Sequence, residues 1–141
     1  MKVFYGDDAN VSRWVAERIP HVDDFGPCSA LGVVNSKGEP VAGVVFHDYQ
    51  PKCGTIQISM AANTPRWATK RIIKEILAYP FYQLGVRKVW TATPHTNERA
   101  IRFNIGIGLK KEAVLANHFG KEHSVVCRMF RKQYEQLYGK K

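Results

Sequence analysis

The chain has 141 residues, of which 45% are hydrophobic and 23% charged, and its formal net charge is +9. This length suits one domain with its own core, so we predict a single domain over residues 1–141. The sequence has no long apolar run and no apolar segment near its start, which argues against a membrane span and a secretory signal. The positive charge favours anionic partners such as phosphorylated cofactors, nucleic acids and acidic proteins.

The cysteines Cys28, Cys53 and Cys127 are odd in number and widely spaced, and they match no zinc or redox motif. This pattern is typical of free thiols in a reducing compartment. We therefore predict a cytoplasmic protein that binds no metal.

The first half of the chain reads as a strand, a helix and three further strands. Lys2–Tyr5 has the character of a short strand, and Asn10 can cap a helix that runs to Ile19. The segment His21–Pro27 is predicted as a loop. The next three strands are predicted at Ala30–Asn35, Val41–Tyr49 and Thr55–Ala61. Their apolar character predicts a sheet that is covered on both faces.

The second half begins with the main predicted helix, Pro65–Leu84, for which Thr64 is the expected N-cap. Pro80 should kink this helix or start a separate last turn. The remaining predicted elements are a strand at Arg87–Thr93, a helix at Asn97–Ile105, a hairpin of Glu112–Phe119 and His123–Phe130, and a charged, helix-compatible tail at Arg131–Tyr138. Strands flanked by helices in this order predict a three-layer α/β domain.

This order of elements resembles that of the GNAT-type N-acetyltransferases, which use acetyl-CoA. The runs Pro65–Thr69 and Tyr79–Gly85 are similar to a branch of that family found in bacteria and their phages. Asn97–Phe103, followed by Gly108–Glu112, resembles the family's N-x-x-A…G-F-x-x-E segment, with Leu109 in place of the aromatic residue. The resemblance implies a mixed, mostly antiparallel sheet of about six to seven strands, flanked by helices and splayed between the fourth and fifth strands.

The resemblance also implies a cofactor site at the start of the main helix. Most family members carry a Q/R-x-x-G-x-G/A pyrophosphate loop there, whereas this chain has an R-W-x-T variant. The free amides and dipole of a helix N-terminus suit a pyrophosphate. We expect the phosphate contacts to come from Arg66, Trp67, Ala68, Thr69 and Lys70. The Trp67 ring either stacks on the adenine or belongs to the core.

For the pantetheine arm, the resemblance implies a place between the fourth and fifth strands. The backbone of Ile58, Ser59 and Met60 would pair with it like an added strand. Asn97 is an N-cap, a cofactor contact, or both. Phe103 belongs to the same cofactor-binding set, and it stands where many members have a tyrosine that acts as general acid.

Acetyl transfer to an amine needs a neutral amine, a polarised thioester carbonyl and a proton for the leaving thiolate. Amides near Ser59 or Met60 are candidates for polarising the carbonyl. No residue is assigned as acid or base, and the candidates, each of which also fits a structural or solvated role, are His47, Asp48, Glu112 and His118. The loop carboxylates Asp23 and Asp24, with Asp48, are candidates for attracting a cationic amine.

Two functions remain open on the sequence. The first is an acetyl-CoA-dependent N-acetyltransferase whose acceptor is the primary amine of a small molecule, a protein or an aminoacylated RNA. The second is a catalytically weak GNAT-like module that binds nucleic acid or a protein through its basic surface. Either is expected as a monomer or homodimer without membrane association.

Overall fold

The strands and helices account for most of the chain in the computed structural model, which describes residues 1–140. The strands are β1 (Lys2–Phe4), β2 (Cys28–Val34), β3 (Pro40–Gln50), β4 (Thr55–Ala62), β5 (Lys88–Pro94), β6 (Lys110–Phe119) and β7 (Glu122–Phe130). The helices are α1 (Asp8–Ala16), α2 (Lys70–Ala78), α3 (Glu98–Gly106) and α4 (Arg131–Tyr138). This order confirms the predicted sequence of elements, and the charged tail is helical. No helix among the described residues has the length and apolar character that crossing a membrane requires.

The prediction of one long helix over residues 65–84 is wrong. Thr64 caps only a 3₁₀ turn at Pro65–Trp67. The backbone then leaves the helical region at Ala68 (φ −87°, ψ 55°) and becomes extended at Thr69, which is the true N-cap of α2. The expectation for Pro80 is confirmed, because α2 ends at Ala78 and a separate π-helical turn follows.

The first helix also differs from its predicted bounds. It begins at Asp8, earlier than predicted, because its N-cap is Asp7 rather than Asn10. The Asp7 side chain accepts a hydrogen bond from the Asn10 amide. It ends at Ala16, before the predicted end at Ile19. The strand ends differ from the predictions by one or two residues, as is usual for boundaries read from sequence.

The seven strands form one sheet in the order β1-β2-β3-β4-β5-β7-β6, and every neighbouring pair is antiparallel except β4 and β5. The parallel pair is short: Thr55, Ile56 and Gln57 face Lys88, Val89 and Trp90, and the pairing then stops. Beyond that point β4 stays paired with β3 as far as Ala62, and β5 stays paired with β7 as far as Pro94. The two strands therefore part, which confirms the predicted splay.

The two faces of the sheet are covered unequally. On one face α2 and its neighbours pack on Ile56 and Ile58 in the main core. On the other face α1 packs on β2, β3 and β4 through a smaller cluster that includes Val15 and Val45. The prediction of cover on both faces concerns β2, β3 and β4. On β6, which that prediction does not include, Val114 is 51% exposed, because α1 packs on β2, β3 and β4.

A glycine allows α1 to approach β3 closely. A Cβ atom on Gly43 would lie 2.6 Å from Cγ2 of Val15, a buried and rotamer-restricted side chain. We expect Gly43→Ala to reduce the free energy of unfolding by about 1–3 kcal/mol, measured by urea denaturation. Gly106→Ala is the matched control, because a Cβ there meets nothing within 4 Å and its φ is not positive. Equal stability of the two variants would contradict this helix–strand contact.

Candidate functional site

The opening between β4 and β5 is the main feature of the site. Both strands run in the same direction, β4 leading to the start of α2 and β5 leading to the start of α3. From Ile58 and Thr91 onward neither strand is paired with the other. The N-termini of two helices therefore lie at the open end of a gap whose sides are strand edges. A gap of this kind can hold an extended ligand through main-chain hydrogen bonds.

At the start of α2 the chain presents free amides and cations to solvent. The Thr69 hydroxyl accepts a hydrogen bond from the Ile72 amide at 3.3 Å, and the Thr69 carbonyl accepts one from the Ile73 amide at 3.0 Å. The amides of Lys70 and Arg71 precede the first hydrogen bond within the helix. Since Arg66, Thr69, Lys70 and Arg71 are exposed, this turn is suited to an anion.

The Trp67 side chain belongs to the core. Its indole is 2% exposed and stacks on the Phe103 ring with the ring centroids 5.6 Å apart. Ala68, the next residue, is half-buried against the same core. In this structure Trp67 and Phe103 support the loop before α2 from beneath, and the indole does not face solvent.

The α3 helix is fixed to the unpaired half of β5. Asn97 accepts a hydrogen bond from the Ala100 amide at 3.2 Å, which confirms that it is the N-cap, and its side chain is exposed. The buried Asn104 side chain donates hydrogen bonds to Thr91 Oγ1 at 3.2 Å and Thr93 Oγ1 at 3.3 Å. A lone asparagine in a helix does not indicate its partners on a neighbouring strand, so the sequence does not predict this contact.

A cavity of about 360 Å³ opens on the face of the sheet that carries α1. Its walls are the loop residues 21–25, together with His47, Gln57, Ser59, Ala92 and Phe119. Ser59 and Ala92 lie in the unpaired halves of β4 and β5, so the cavity reaches the gap. Asp23 and Asp24 contribute carboxylates to its wall. The loop whose carboxylates Asp23 and Asp24 are candidates for attracting a cationic amine therefore lines a cavity beside the gap.

One catalytic candidate, His47, lines this cavity. Its Nε2 atom lies 2.8 Å from Ser59 Oγ, and the Phe25 ring lies against the imidazole with the centroids 4.9 Å apart. Burial lowers the pKa of His47 from its ordinary value of 6.5, while the nearby Asp48 carboxylate acts in the opposite direction. The imidazole is therefore mostly neutral near pH 7.

The other candidates lie elsewhere. Asp48 is exposed and accepts a hydrogen bond from Gln50. Glu112 pairs with Lys88 at 3.0 Å and Arg128 at 3.5 Å, at the end of β5 that remains paired with β4. His118 is exposed near the end of β6. Only His47 of the four lines the cavity.

The tip of the β6–β7 hairpin contributes a wall of the cavity that the sequence does not predict. Phe119, at the end of β6, contacts His21 from the loop after α1, with ring centroids 4.3 Å apart. Both residues line the cavity. The contact joins the end of β6 to a loop that is distant in sequence, so no local pattern predicts it.

The three cysteines are free, as expected from their spacing. Within residues 1–140 no group of three or more His, Cys, Asp or Glu side chains is placed to hold a metal ion.

Comparison with known proteins finds similar structures without similar sequences. No family model and no curated protein sequence matches the chain. Mutant forms of the spermidine/spermine N-acetyltransferase SpeG from Vibrio cholerae match with a TM-score of 0.78 at 11% identity, covering 96% of this chain and 97% of that one. A chimera of Vibrio cholerae SpeG and hSSAT matches with a TM-score of 0.76 at 11% identity, covering 94% of this chain and 97% of that one. The dodecameric spermidine N-acetyltransferase from Vibrio cholerae matches with a TM-score of 0.66 at 14% identity, covering 77% of this chain and 68% of that one.

Proposed function

From the GNAT fold that this chain has, we propose that it is an acetyl-CoA-dependent N-acetyltransferase that acetylates a primary amine by direct attack on the thioester. The observation that carries the proposal is the gap between β4 and β5, which has the start of α2 at its open end and reaches a cavity on the other face of the sheet. A long anionic cofactor and a separate acceptor can thus approach one point from two directions.

The groups around the gap fit the parts of acetyl-CoA. The amides of Lys70 and Arg71, with the Thr69 hydroxyl and the Arg66 and Lys70 cations, suit the pyrophosphate. Trp67 and Ala68 contribute through their backbone, because the Trp67 ring is buried. The free edge at Ile58, Ser59 and Met60 suits the pantetheine amides, with Asn97 at the opposite side of the gap.

The acceptor is proposed to bind in the cavity. Asp23 and Asp24 favour a cationic amine there, and Ser59 and Ala92 mark the point where its nitrogen meets the thioester carbon. Backbone amides near Ser59 or Met60 would polarise the carbonyl. Since structural neighbours are named as acting on spermidine and spermine, a polyamine is the first acceptor to test. We also propose a cytoplasmic, bacterial or phage-encoded enzyme that is a monomer or homodimer.

The test is a stability measurement followed by an activity measurement. Acetyl-CoA at about 100 times its dissociation constant should raise the free energy of unfolding by about 2.7 kcal/mol. A short DNA duplex and tRNA test the alternative of a nucleic-acid-binding module, which the net charge of +9 would favour. ADP serves as the control for phosphate contacts alone. Release of CoA thiol is then followed with spermidine, a lysine peptide and aminoacyl-tRNA as acceptors.

We expect stabilisation by acetyl-CoA that exceeds that by ADP, no stabilisation by the duplex, and thiol release with one of the amines. Stabilisation by nucleic acid without any response to acetyl-CoA would overturn the enzyme proposal in favour of the binding module.

A further inference from the structure

We infer that His47 and Ser59 form a proton-transfer pair, which takes a proton from the attacking amine and returns it to the departing sulfur. The inference rests on the proposed function and deepens it, because the acid and the base of the reaction are otherwise unassigned. Phe103, on α3, has no proton to give and is packed against Trp67.

The register of the sheet places the two side chains together. Val45 of β3 pairs with Ser59 of β4, and His47 pairs with Gln57. His47 and Ser59 are therefore diagonal neighbours on the same face, the one that carries the cavity. Their 2.8 Å separation between Nε2 and Oγ is a hydrogen bond.

The order of strands places the Ser59 hydroxyl nearer than His47 to the gap between β4 and β5. His47 lies on β3, Ser59 lies on β4, and the gap lies beyond β4 where its pairing with β5 has ended. The hydroxyl of Ser59 thus stands between the imidazole and the gap. A proton that leaves a nitrogen in the gap reaches His47 through Ser59, as a hydrogen-bonded relay permits.

The surroundings of the imidazole allow it to accept a proton. It is half-buried, and burial lowers its pKa from 6.5 although Asp48 on the same strand opposes the change. The other titratable groups near its face of the sheet are Cys28, paired with it on β2, and the cavity residues His21, Asp23 and Asp24. The neighbours on β4, Gln57 and Ser59, carry no charge. A mostly neutral imidazole near pH 7 is the form that a general base requires.

The steps balance without any further reactant. The ammonium form of the acceptor first loses one proton to water. As its nitrogen bonds to the thioester carbon, a second proton passes to Ser59 Oγ while the Ser59 proton passes to His47 Nε2. The carbonyl π bond opens as the nitrogen adds and forms again as the carbon–sulfur bond breaks, and the proton passes from His47 Nε2 through Ser59 Oγ to the departing sulfur. The products are the amide and the CoA thiol, with both side chains restored.

The test compares pH profiles of kcat for His47→Gln, Ser59→Ala and Ser59→Thr, with spermidine or the better acceptor of the panel above. We expect His47→Gln to lower kcat by about 10²–10⁴-fold while acetyl-CoA affinity, measured by calorimetry, is unchanged. The acid limb that His47 imposes on the wild-type profile should vanish in this variant. Ser59→Ala should also lower kcat, and Ser59→Thr, which keeps a hydroxyl, should recover it.

Ser36→Ala, in the exposed turn between β2 and β3, is the matched serine control and should behave as wild type. NMR titration of the histidines, with the His47 signal identified by its loss in His47→Gln, should give a His47 midpoint below 6.5. If His47→Gln keeps the limb and the rate, the inference fails and the proposed function stands. If the wild-type protein neither binds acetyl-CoA nor acetylates an amine, the proposed function fails and the inference fails with it.

Discussion

Replacement of Trp67 by alanine will lower the free energy of unfolding by about 3–5 kcal/mol, as measured by urea denaturation. The indole is 2% exposed and stacks on Phe103, so its removal leaves a cavity between the loop and α3. Trp67 also lies between the caps Thr64 and Thr69. Its loss should loosen the turn that presents the amides of α2, and acetyl-CoA should bind less tightly to the variant that remains folded.

The matched variant is Trp67→Phe, which keeps an aromatic ring against Phe103 and should lose less stability than the alanine variant. A ring that stacked on adenine would give a different result: Trp67→Ala would weaken acetyl-CoA binding and leave the unfolding free energy unchanged. That outcome would contradict the assignment of Trp67 to the core.

The second large effect is expected at the start of α2. Changing Thr69 and Lys70 together to alanine removes a hydroxyl and a cation from the proposed pyrophosphate site. A hydrogen bond to a charged group contributes about 1.5–3 kcal/mol, so the dissociation constant for acetyl-CoA should rise by about 10- to 100-fold, measured by calorimetric titration. The loss should shrink at high ionic strength, because exposed charges are screened by salt.

Two controls separate binding from folding in this experiment. Thr69→Ser keeps the hydroxyl that caps α2 and should retain affinity. Lys74→Ala removes an exposed lysine one turn further along the same helix and should leave the dissociation constant unchanged. An equal loss of affinity in Lys74→Ala would point to general electrostatic attraction and against a site at the helix start.

The elements that the sequence predicted well are those with local signals. Asn97 was expected to cap α3, and it does so because its own side chain reaches an amide three residues later. The main helix was misread because two threonine caps, Thr64 and Thr69, lie five residues apart, and a proline follows the first one. The sequence does not show that the first cap serves only a short 3₁₀ turn, in which Trp67 is buried in the core.

The features of the site likewise divide into those that the sequence predicts and those that it does not. The gap and the two helix starts follow from the order of elements and from the family resemblance. The cavity does not, because it depends on contacts between distant segments such as His21 with Phe119. The hydrogen bond between His47 and Ser59 depends on the register of β3 with β4, which includes an irregularity between His47 and Gln50 that has no sequence signal.

The short contact between β4 and β5 has a mechanical consequence. Because the ladder between them ends at Gln57 and Trp90, the sheet amounts to two smaller sheets hinged at one end. Any molecule that hydrogen-bonds to both free strand edges would link the two halves of the sheet and restrict their relative motion. Amide hydrogen exchange should then slow on both strands at once when such a molecule is bound, so that the occupant of the gap would be a structural part of the protein as well as its proposed reactant.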